Sequence, residues 1–175
     1  MQNKLNLELK YFCKDFSQIR KVLLKIGAKK IGVTKQKDYF FNIPDEQNHA
    51  RLKLRVENQK QMLVYYERQE FVQNKANPSK VTLFQVKDKK LLNFLKEVLG
   101  IKAIVKKKRE VWVKQNTIFN LDDVESIGKI FEIETTTTTV NQKKDEAVFN
   151  IYIKKFKPFL SEIVRGSNLD LALIL

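Results

Sequence analysis

The sequence contains one cysteine, one histidine and five glycines among its 175 residues. The single Cys13 cannot form a disulfide framework or a cysteine metal site, so we expect a protein of a reducing compartment, the cytoplasm. His49 has no second histidine and no nucleophile motif near it, which argues against Ser–His and Cys–His catalysis. The absence of a Gly-x-x-x-x-Gly-Lys segment excludes a P-loop. No apolar run reaches the roughly 18 residues of a membrane span, and we expect a soluble protein without a membrane partner.

Positive charge is what the sequence has in excess. The 34 Lys and Arg residues against 20 Asp and Glu residues give a net charge of +14. This excess predicts attraction to anions, whether nucleic acid, anionic membrane or phosphorylated small molecules, and does not choose among them. The hydrophobic content of 43% is enough for one substantial core, so we expect a single domain over residues 1–175.

Polar and apolar residues alternate along eight segments, a pattern that predicts β-strands. Helical spacing of apolar residues predicts a helix from Asp15 or Ser17 to Gly27, a second from Asp88 to Gly100, and a third from about Lys143 to Lys157. Pro158 should interrupt the third helix. The predicted strands are residues 4–12, 36–42, 50–57, 61–70, 80–87, 104–114, 117–122 and 129–139.

A weak internal repeat organises these elements. Asp15 and Gly27 recur 73 positions later as Asp88 and Gly100, and the strand before each helix also corresponds. The chain therefore consists of two β-α-β-β units in tandem. We predict an α+β fold: an eight-stranded antiparallel sheet, closed into a barrel or tunnel, with the helices packed outside.

Three strands carry ionisable groups on one face. Arg51, Lys53 and Arg55 form a cationic row, with neighbours about 6.6 Å apart that repel by only about 0.6 kcal/mol in water. An exposed row of this kind needs no explanation, whereas an enclosed row needs an anion. Glu132 and Glu134 form an acidic face on another strand. Three ordinary solvated sheet faces remain the alternative.

The acidic face has the ligand type that magnesium prefers. Mg²⁺ usually takes one or two carboxylates together with substrate phosphate and water. A carboxylate pair beside a cationic row would therefore suit a Mg²⁺-bound triphosphate, although the same acidic patch can simply offset neighbouring lysines. In the basic run 106–109, alternation allows Lys107 and Arg109 to face inward and leaves Lys106 and Lys108 to solvent.

Six short segments follow one another along the chain: Asn6-x-Glu8-x-Lys10, Asp38-Tyr39-Phe40, Arg51-x-Lys53-x-Arg55, Lys107-x-Arg109, Leu121-Asp122 and Ile127-Gly128-x-x-Phe131-Glu132-x-Glu134. In this order they resemble the CYTH superfamily, the triphosphate tunnel metalloenzymes. That group includes class IV adenylyl cyclases, thiamine triphosphatases and inorganic triphosphatases. The resemblance covers nearly the whole chain and looks closest to the class IV cyclase branch.

The resemblance implies a tunnel whose charged faces point inward and hold a metal-bound triphosphate such as ATP. It implies catalytic roles for Lys10, Arg109 and Tyr39. The residues implied to hold Mg²⁺ or Mn²⁺ are Glu8, Asp122, Glu132 and Glu134, and those implied to bind the substrate are Arg51, Lys53, Arg55, Arg68, Lys80 and Lys107.

This chain departs from the family pattern at three positions. Asn6 stands where the signature begins with Glu, and Asn168 stands where relatives have a tyrosine. Tyr66 occupies the place of a lysine that pairs with the tyrosine at the position of Tyr39 in thiamine triphosphatases. Arg68, two residues further on, would be the replacement cation.

The resulting hypothesis is a metal-dependent enzyme that acts on a triphosphate, either an adenylyl cyclase or a triphosphate hydrolase. A non-catalytic binder of nucleotide, polyphosphate or RNA is the alternative. Nucleic acid is disfavoured because stacking needs exposed aromatics, and Tyr11, Phe12 and Trp112 are expected in the core. The oligomeric state stays open, with a homodimer as one option.

Overall fold

The computed structural model of the protein describes residues 4–44, 50–68, 79–138 and 140–174. Within these ranges the chain forms eight strands: β1 (Lys4–Phe12), β2 (Lys29–Phe41), β3 (Ala50–Glu57), β4 (Lys60–Arg68), β5 (Ser79–Val86), β6 (Ile101–Lys114), β7 (Thr117–Val124) and β8 (Gly128–Thr138). The helices are α1 (Ser17–Lys25), α2 (Leu91–Leu99), α3 (Gln142–Phe156) and α4 (Asn168–Ala172), with a 3-10 turn at Lys157–Phe159 after α3.

All eight strands belong to one antiparallel sheet in the order β1-β8-β7-β6-β2-β3-β4-β5. The predicted α+β class and eight-stranded antiparallel sheet are confirmed. The sheet curls into a half-barrel whose edges are β1 and β5, which do not pair with each other within the described ranges.

The sheet order reflects the internal repeat. One half contains β1, α1, β2, β3 and β4, and the other contains β5, α2, β6, β7 and β8. Each unit is therefore β-α-β-β-β, one strand longer than the predicted β-α-β-β unit. The long strands β2 and β6 pair with each other at the centre and join the two halves. The residues at the concave face of both halves therefore look toward one shared space.

Three helices cover the convex face of the sheet. Helices α1 and α3 cover β1, β7 and β8, and an aromatic cluster of Phe119, Phe131, Tyr152 and Phe156 lies between them. Helix α2 covers β2 and β3 through Leu95. Because side chains alternate along each strand, burying one apolar set under the helices turns the charged set to the concave side.

A half-buried ionic contact ties α1 to the sheet. The guanidinium of Arg20 donates to both carboxylate oxygens of Glu110 on β6, each at 3.0 Å. The Glu110 carboxylate also accepts from the indole of Trp112 at 2.7 Å and lies 3.4 Å from Lys30. Burial would raise the pKa of Glu110, but Arg20 and Trp112 lower it.

The helix starts differ from the sequence prediction. The carboxylate of Asp15 accepts from the backbone N–H of Ser17, and that of Asp88 accepts from Lys90, so both form turns ahead of their helices. Neither helix has a side-chain cap at the residue before its first turn. The predicted ends are confirmed: Gly27 has φ +75° just after α1, the left-handed conformation that favours glycine.

Strand β2 begins at Lys29, seven residues before the predicted start at residue 36. The early part of β2 is largely polar and exposed, so its alternation is weak, and its extended form comes from pairing with β6. No helix in the described ranges has the length and apolar character that crossing a membrane requires.

Candidate active site

The concave face of the sheet encloses a cleft of about 380 Å³ in which both signs of charge meet. Glu8 and Lys10 enter from β1, Glu132 and Glu134 from β8, Lys107 and Arg109 from β6, and Lys53 and Arg55 from β3. The eight residues come from all parts of the sequence. Their convergence follows from the sheet order and the strand alternation together.

A buried carboxylate on β2 holds two of the β3 cations. The Asp38 carboxylate accepts from Lys53 Nζ at 2.7 Å, from Arg55 Nε at 2.8 Å and from Arg55 Nη2 at 2.9 Å. Burial alone would raise the pKa of Asp38, but Lys53 and Arg55 hold it well below its usual range. Asp38 therefore stays ionised and fixes both cations at the wall of the cleft.

A second carboxylate does the same for the β6 cations. The Asp122 carboxylate accepts from Arg109 Nε and Nη2, both at 2.6 Å, and from Lys107 Nζ at 2.8 Å. Burial would raise its pKa, but Arg109 and Lys107 lower it. Both oxygens of Asp122 are engaged by cations in this arrangement, and its role as a metal ligand stays a prediction. Asp122 positions Lys107 and Arg109 as Asp38 positions the β3 pair.

The carboxylate of Glu132 lies between cations. It accepts from Asn120 Nδ2 at 3.1 Å, and it is 3.4 Å from Arg109 Nη2 and 3.5 Å from Lys10 Nζ. Burial would raise its pKa, but Lys10 and Arg109 hold it well below its usual range. Lys10 also forms an ion pair with Glu8 on its own strand. Lys10 thus joins the two carboxylates of β1 and β8.

Glu134 lies close to two other carboxylates, those of Glu8 and Glu132. In the β1–β8 pairing Glu134 lies directly opposite Glu8, and Lys10 lies opposite Glu132. Burial, followed by the charges of Glu132 and Glu8, raises the pKa of Glu134 from 4.5 to about 7. Like charges at opposed positions of a strand pair destabilise the sheet. A divalent cation between Glu8 and Glu134 would remove that repulsion.

This donor set fits a metal ion that completes its shell with substrate. Within the described ranges, no group of three or more His, Cys, Asp or Glu side chains converges closely enough to hold a metal by itself. Glu8 and Glu134, with Glu132 beside them, supply carboxylate oxygens only. Mg²⁺ commonly binds to one or two carboxylates together with phosphate oxygens and water, and this arrangement matches that pattern.

Two lysines of the cleft, Lys53 and Lys107, are held in an environment that is unfavourable for their charge. Burial, with the neighbouring Arg55 and Lys107, lowers the pKa of Lys53 to about 7 despite the ion pair with Asp38. Burial and Arg109 lower the pKa of Lys107 to about 8. Arg109 stays charged, because Asp122 and Glu132 raise its pKa against the effect of burial. A bound polyanion would stabilise both ammonium groups.

Tyr39 does not belong to this site. Its side chain lies on the convex face under α2, packed with Phe41, Leu54 and Leu95, and only 8% of it is exposed. Strand alternation places it opposite to Asp38, its neighbour in sequence. The predicted catalytic role of Tyr39 is therefore wrong: a helix covers its ring, and the ring cannot reach the cleft.

Other predicted residues have different outcomes. Arg51 is half-buried and bonds to Asp170 of α4 through Nη2 at 3.2 Å, which places it next to the cleft rather than in its lining. Tyr66 does line the cleft, with Lys53 Nζ 5.8 Å from its ring centre. The side chains of Asn6, Arg68 and Lys80 and all of His49 lie outside the described part of the structure.

Sequence reasoning missed the residues that position the cations. Asp38 was quoted only as part of a motif, and Asn120 was not considered. Strand register reveals these roles: Asp38 pairs with Arg55 between β2 and β3, as Arg109 pairs with Asp122 between β6 and β7. Ser167, which starts α4 with a capping box, also lines the cleft and was not singled out for that role.

Comparisons with known proteins agree with this architecture. The model of the CYTH domain matches residues 4–157. A "putative adenylate cyclase" of Methanocaldococcus jannaschii is 25% identical over 174 aligned residues, covering 95% of this chain and 98% of that protein. Among solved structures, the PH1012 protein of Pyrococcus horikoshii OT3 has a TM-score of 0.78 at 23% identity, covering 95% of this chain and 98% of that one.

A more distant structure shares the same fold. The "putative adenylyl cyclase HpAC1" of Hippeastrum, described as having a dominant triphosphatase activity, has a TM-score of 0.68 at 14% identity. The alignment covers 98% of this chain and 95% of that one. Because the family model spans nearly all of the described strands and α3, the chain belongs to the CYTH domain family.

Proposed function

We propose that this protein is a metal-dependent enzyme that cleaves a triphosphate bound in the cleft. The observation that carries the proposal is the convergence of two opposite-signed rows on one enclosed space: Lys53, Arg55, Lys107 and Arg109 face Glu132 and Glu134. The names of relatives support it, since one is called an adenylate cyclase and another is described with triphosphatase activity.

The cations are built to receive phosphate oxygens. Arg55 and Arg109 are each fixed by two hydrogen bonds to a buried aspartate, so they are oriented before a ligand arrives. Pre-oriented charges stabilise an anionic transition state without reorganisation at the moment of reaction. Lys53 and Lys107 add charge that a phosphate chain would in turn stabilise. In this proposal these four residues bind the triphosphate.

The carboxylate side of the cleft would hold the metal. Glu8 and Glu134 would be the first ligands, and Glu132 lies next to them with its charge balanced by Lys10 and Arg109. A bound Mg²⁺ or Mn²⁺ would neutralise phosphate charge and polarise the attacked phosphorus. Lys10 would keep the carboxylates apart and correctly placed by its contacts with Glu8 and Glu132.

The same four cations and the same metal would serve either of two reactions. Attack of a ribose 3′-hydroxyl on the α-phosphorus would give cyclic AMP and pyrophosphate, and attack of water on the γ-phosphorus would give a diphosphate and orthophosphate. Because Tyr39 lies under α2, a tyrosine–lysine pair centred on it cannot activate water here. Any group that takes the proton must come from the concave face.

The test is incubation with ATP, thiamine triphosphate and tripolyphosphate in Mg²⁺ and in Mn²⁺, with products resolved by phosphorus NMR. Cyclic AMP with pyrophosphate identifies a cyclase, and orthophosphate identifies a hydrolase. Glu134→Gln should abolish turnover, while Glu97→Gln, on the exposed surface of α2, should leave it unchanged. Salt-dependent binding of RNA or polyphosphate without turnover in either metal would contradict the proposal and favour a binding protein.

A further inference from the structure

The cleft has an apolar wall beside its charged groups. On the concave side of β4 and β5 the lining residues are Met62, Val64, Tyr66, Val81 and Leu83. Val64 and Tyr66 are buried, but Met62 is 37% exposed, Val81 45% and Leu83 60%. Large apolar side chains that remain exposed inside a concave site indicate a surface that a ligand covers.

The boundary between charge and apolar surface runs between two neighbouring strands. In the β3–β4 register Arg55 lies opposite Met62, and Lys53 lies opposite Val64. In the β4–β5 register Val64 then lies opposite Leu83. Adjacent strands are about 4.8 Å apart, so a phosphate chain bound to the β3 cations comes within one or two strand spacings of the wall.

The wall cannot serve a ligand made only of phosphate. A phosphate group pressed against Met62, Val64 and Leu83 would lose water and gain no hydrogen bond, which is unfavourable for a charged group. A ligand with an apolar or aromatic group attached to its triphosphate would cover the wall and keep its phosphates on the cations. Met62, Val81 and Leu83 are the exposed side chains of the wall that such a group would cover.

We propose that the substrate of this cleft is an organic triphosphate whose ring or other apolar group lies on the β4–β5 wall, and that inorganic tripolyphosphate is the weaker ligand. This inference rests on the proposed function. The residues of β4 and β5 would determine the substrate class, and these residues play no part in holding the metal. A nucleoside triphosphate and thiamine triphosphate share the required chemistry, and separate titrations distinguish them.

The experiment measures binding by isothermal titration calorimetry with ATP, thiamine triphosphate and tripolyphosphate in EDTA, where metal-dependent turnover stops. We compare the wild type with the Met62→Ala/Leu83→Ala double variant. Phe84→Ala is the matched control, because Phe84 neighbours Leu83 on β5, is 66% exposed and is not part of the cleft lining.

We expect at least one organic triphosphate to bind the wild type about tenfold more tightly than tripolyphosphate, since apolar contacts of this size discriminate by roughly 10- to 200-fold. The double variant should lose about tenfold in affinity for the organic ligand and bind tripolyphosphate unchanged. Unchanged tripolyphosphate binding also shows that the variant is folded. Leu83→Ser is the reserve variant if the double replacement unfolds the protein. Phe84→Ala should alter neither affinity.

Three results would overturn the inference. Equal affinity for tripolyphosphate and both organic ligands would refute it and leave the proposed function intact. If the double variant binds all three ligands as the wild type does and differs only in the mass measured by sedimentation, a second copy of the chain covers the wall. Absence of binding to all three triphosphates in EDTA would refute the inference, and absence of turnover in Mg²⁺ and in Mn²⁺ as well would refute the proposed function with it.

Discussion

Replacing Glu134 by glutamine should make the metal-free protein more stable at pH 8. The pKa of Glu134 is raised from 4.5 to about 7 in the folded protein by burial, Glu132 and Glu8. The folded state therefore binds more protons than the unfolded state between these values, and its stability falls as pH rises through that window. The pKa difference corresponds to about 3 kcal/mol at pH 8 as an upper limit.

Solvent contact reduces this figure, so we expect a gain of about 1–3 kcal/mol at pH 8 and less than about 1 kcal/mol at pH 5, where Glu134 is largely neutral. The assay is urea unfolding at both pH values in EDTA. Added Mg²⁺ should make the wild type more stable than the glutamine variant at pH 8. A ligand stabilises the folded state that binds it, and the variant lacks one of the two carboxylates.

Glu97→Gln on α2 is the control and should change the free energy of unfolding by less than about 0.5 kcal/mol at either pH. The reasoning is refuted if Glu134→Gln destabilises the protein at pH 8, or if its effect is equal at pH 5 and pH 8. A gain that persists undiminished in saturating Mg²⁺ would separate Glu134 from the metal site.

Three further outcomes follow from the cleft and the core. Since the pKa of Lys53 is lowered to about 7 and that of Lys107 to about 8, triphosphate binding at pH 8 should take up protons and weaken as pH rises toward 9. Calorimetry in two buffers should show that Lys53→Arg reduces the proton uptake and that exposed Lys106→Arg leaves it unchanged. Asp38→Asn should lower the free energy of unfolding by about 3–5 kcal/mol, because Lys53 and Arg55 lose their buried partner. For the same reason, tripolyphosphate should stabilise this variant more than it stabilises the wild type. Equal free energies of unfolding for the variant and the wild type would contradict this expectation. Phe156→Ala should cost about 3–5 kcal/mol in urea unfolding without changing triphosphate affinity, since its ring is fully buried on the convex side.

Strand alternation made most of the fold predictable. The segments around Lys53, Lys107 and Glu132 show clear period-two patterns, because one face meets helices and the other meets charge. The early part of β2 escaped prediction, since Ile31 is 66% exposed and no buried face imposes a pattern there. Its strand form depends on pairing with a distant segment, which sequence spacing does not record.

The site was predictable in composition and less so in arrangement. Alternation limited the inward side chains of the basic run to one pair, and the structure places the predicted pair, Lys107 and Arg109, in the cleft. Tyr39 was misplaced because the resemblance to a family motif was given more weight than its position next to Asp38 in an alternating strand. The roles of Asp38 and Asp122 needed strand register, which sets the carboxylate of one strand against the cations of another.

The adjacency of β1 and β8 has a consequence for how the protein matures. Glu8 and Glu134 come from the first and last strands, and pairings between segments so far apart in the sequence slow folding. A nascent polypeptide still missing β8 would carry only one member of the carboxylate pair. A divalent cation would then stabilise only molecules in which β1 and β8 have already paired. Magnesium in the refolding buffer would therefore raise the yield of folded protein without accelerating the first steps of folding.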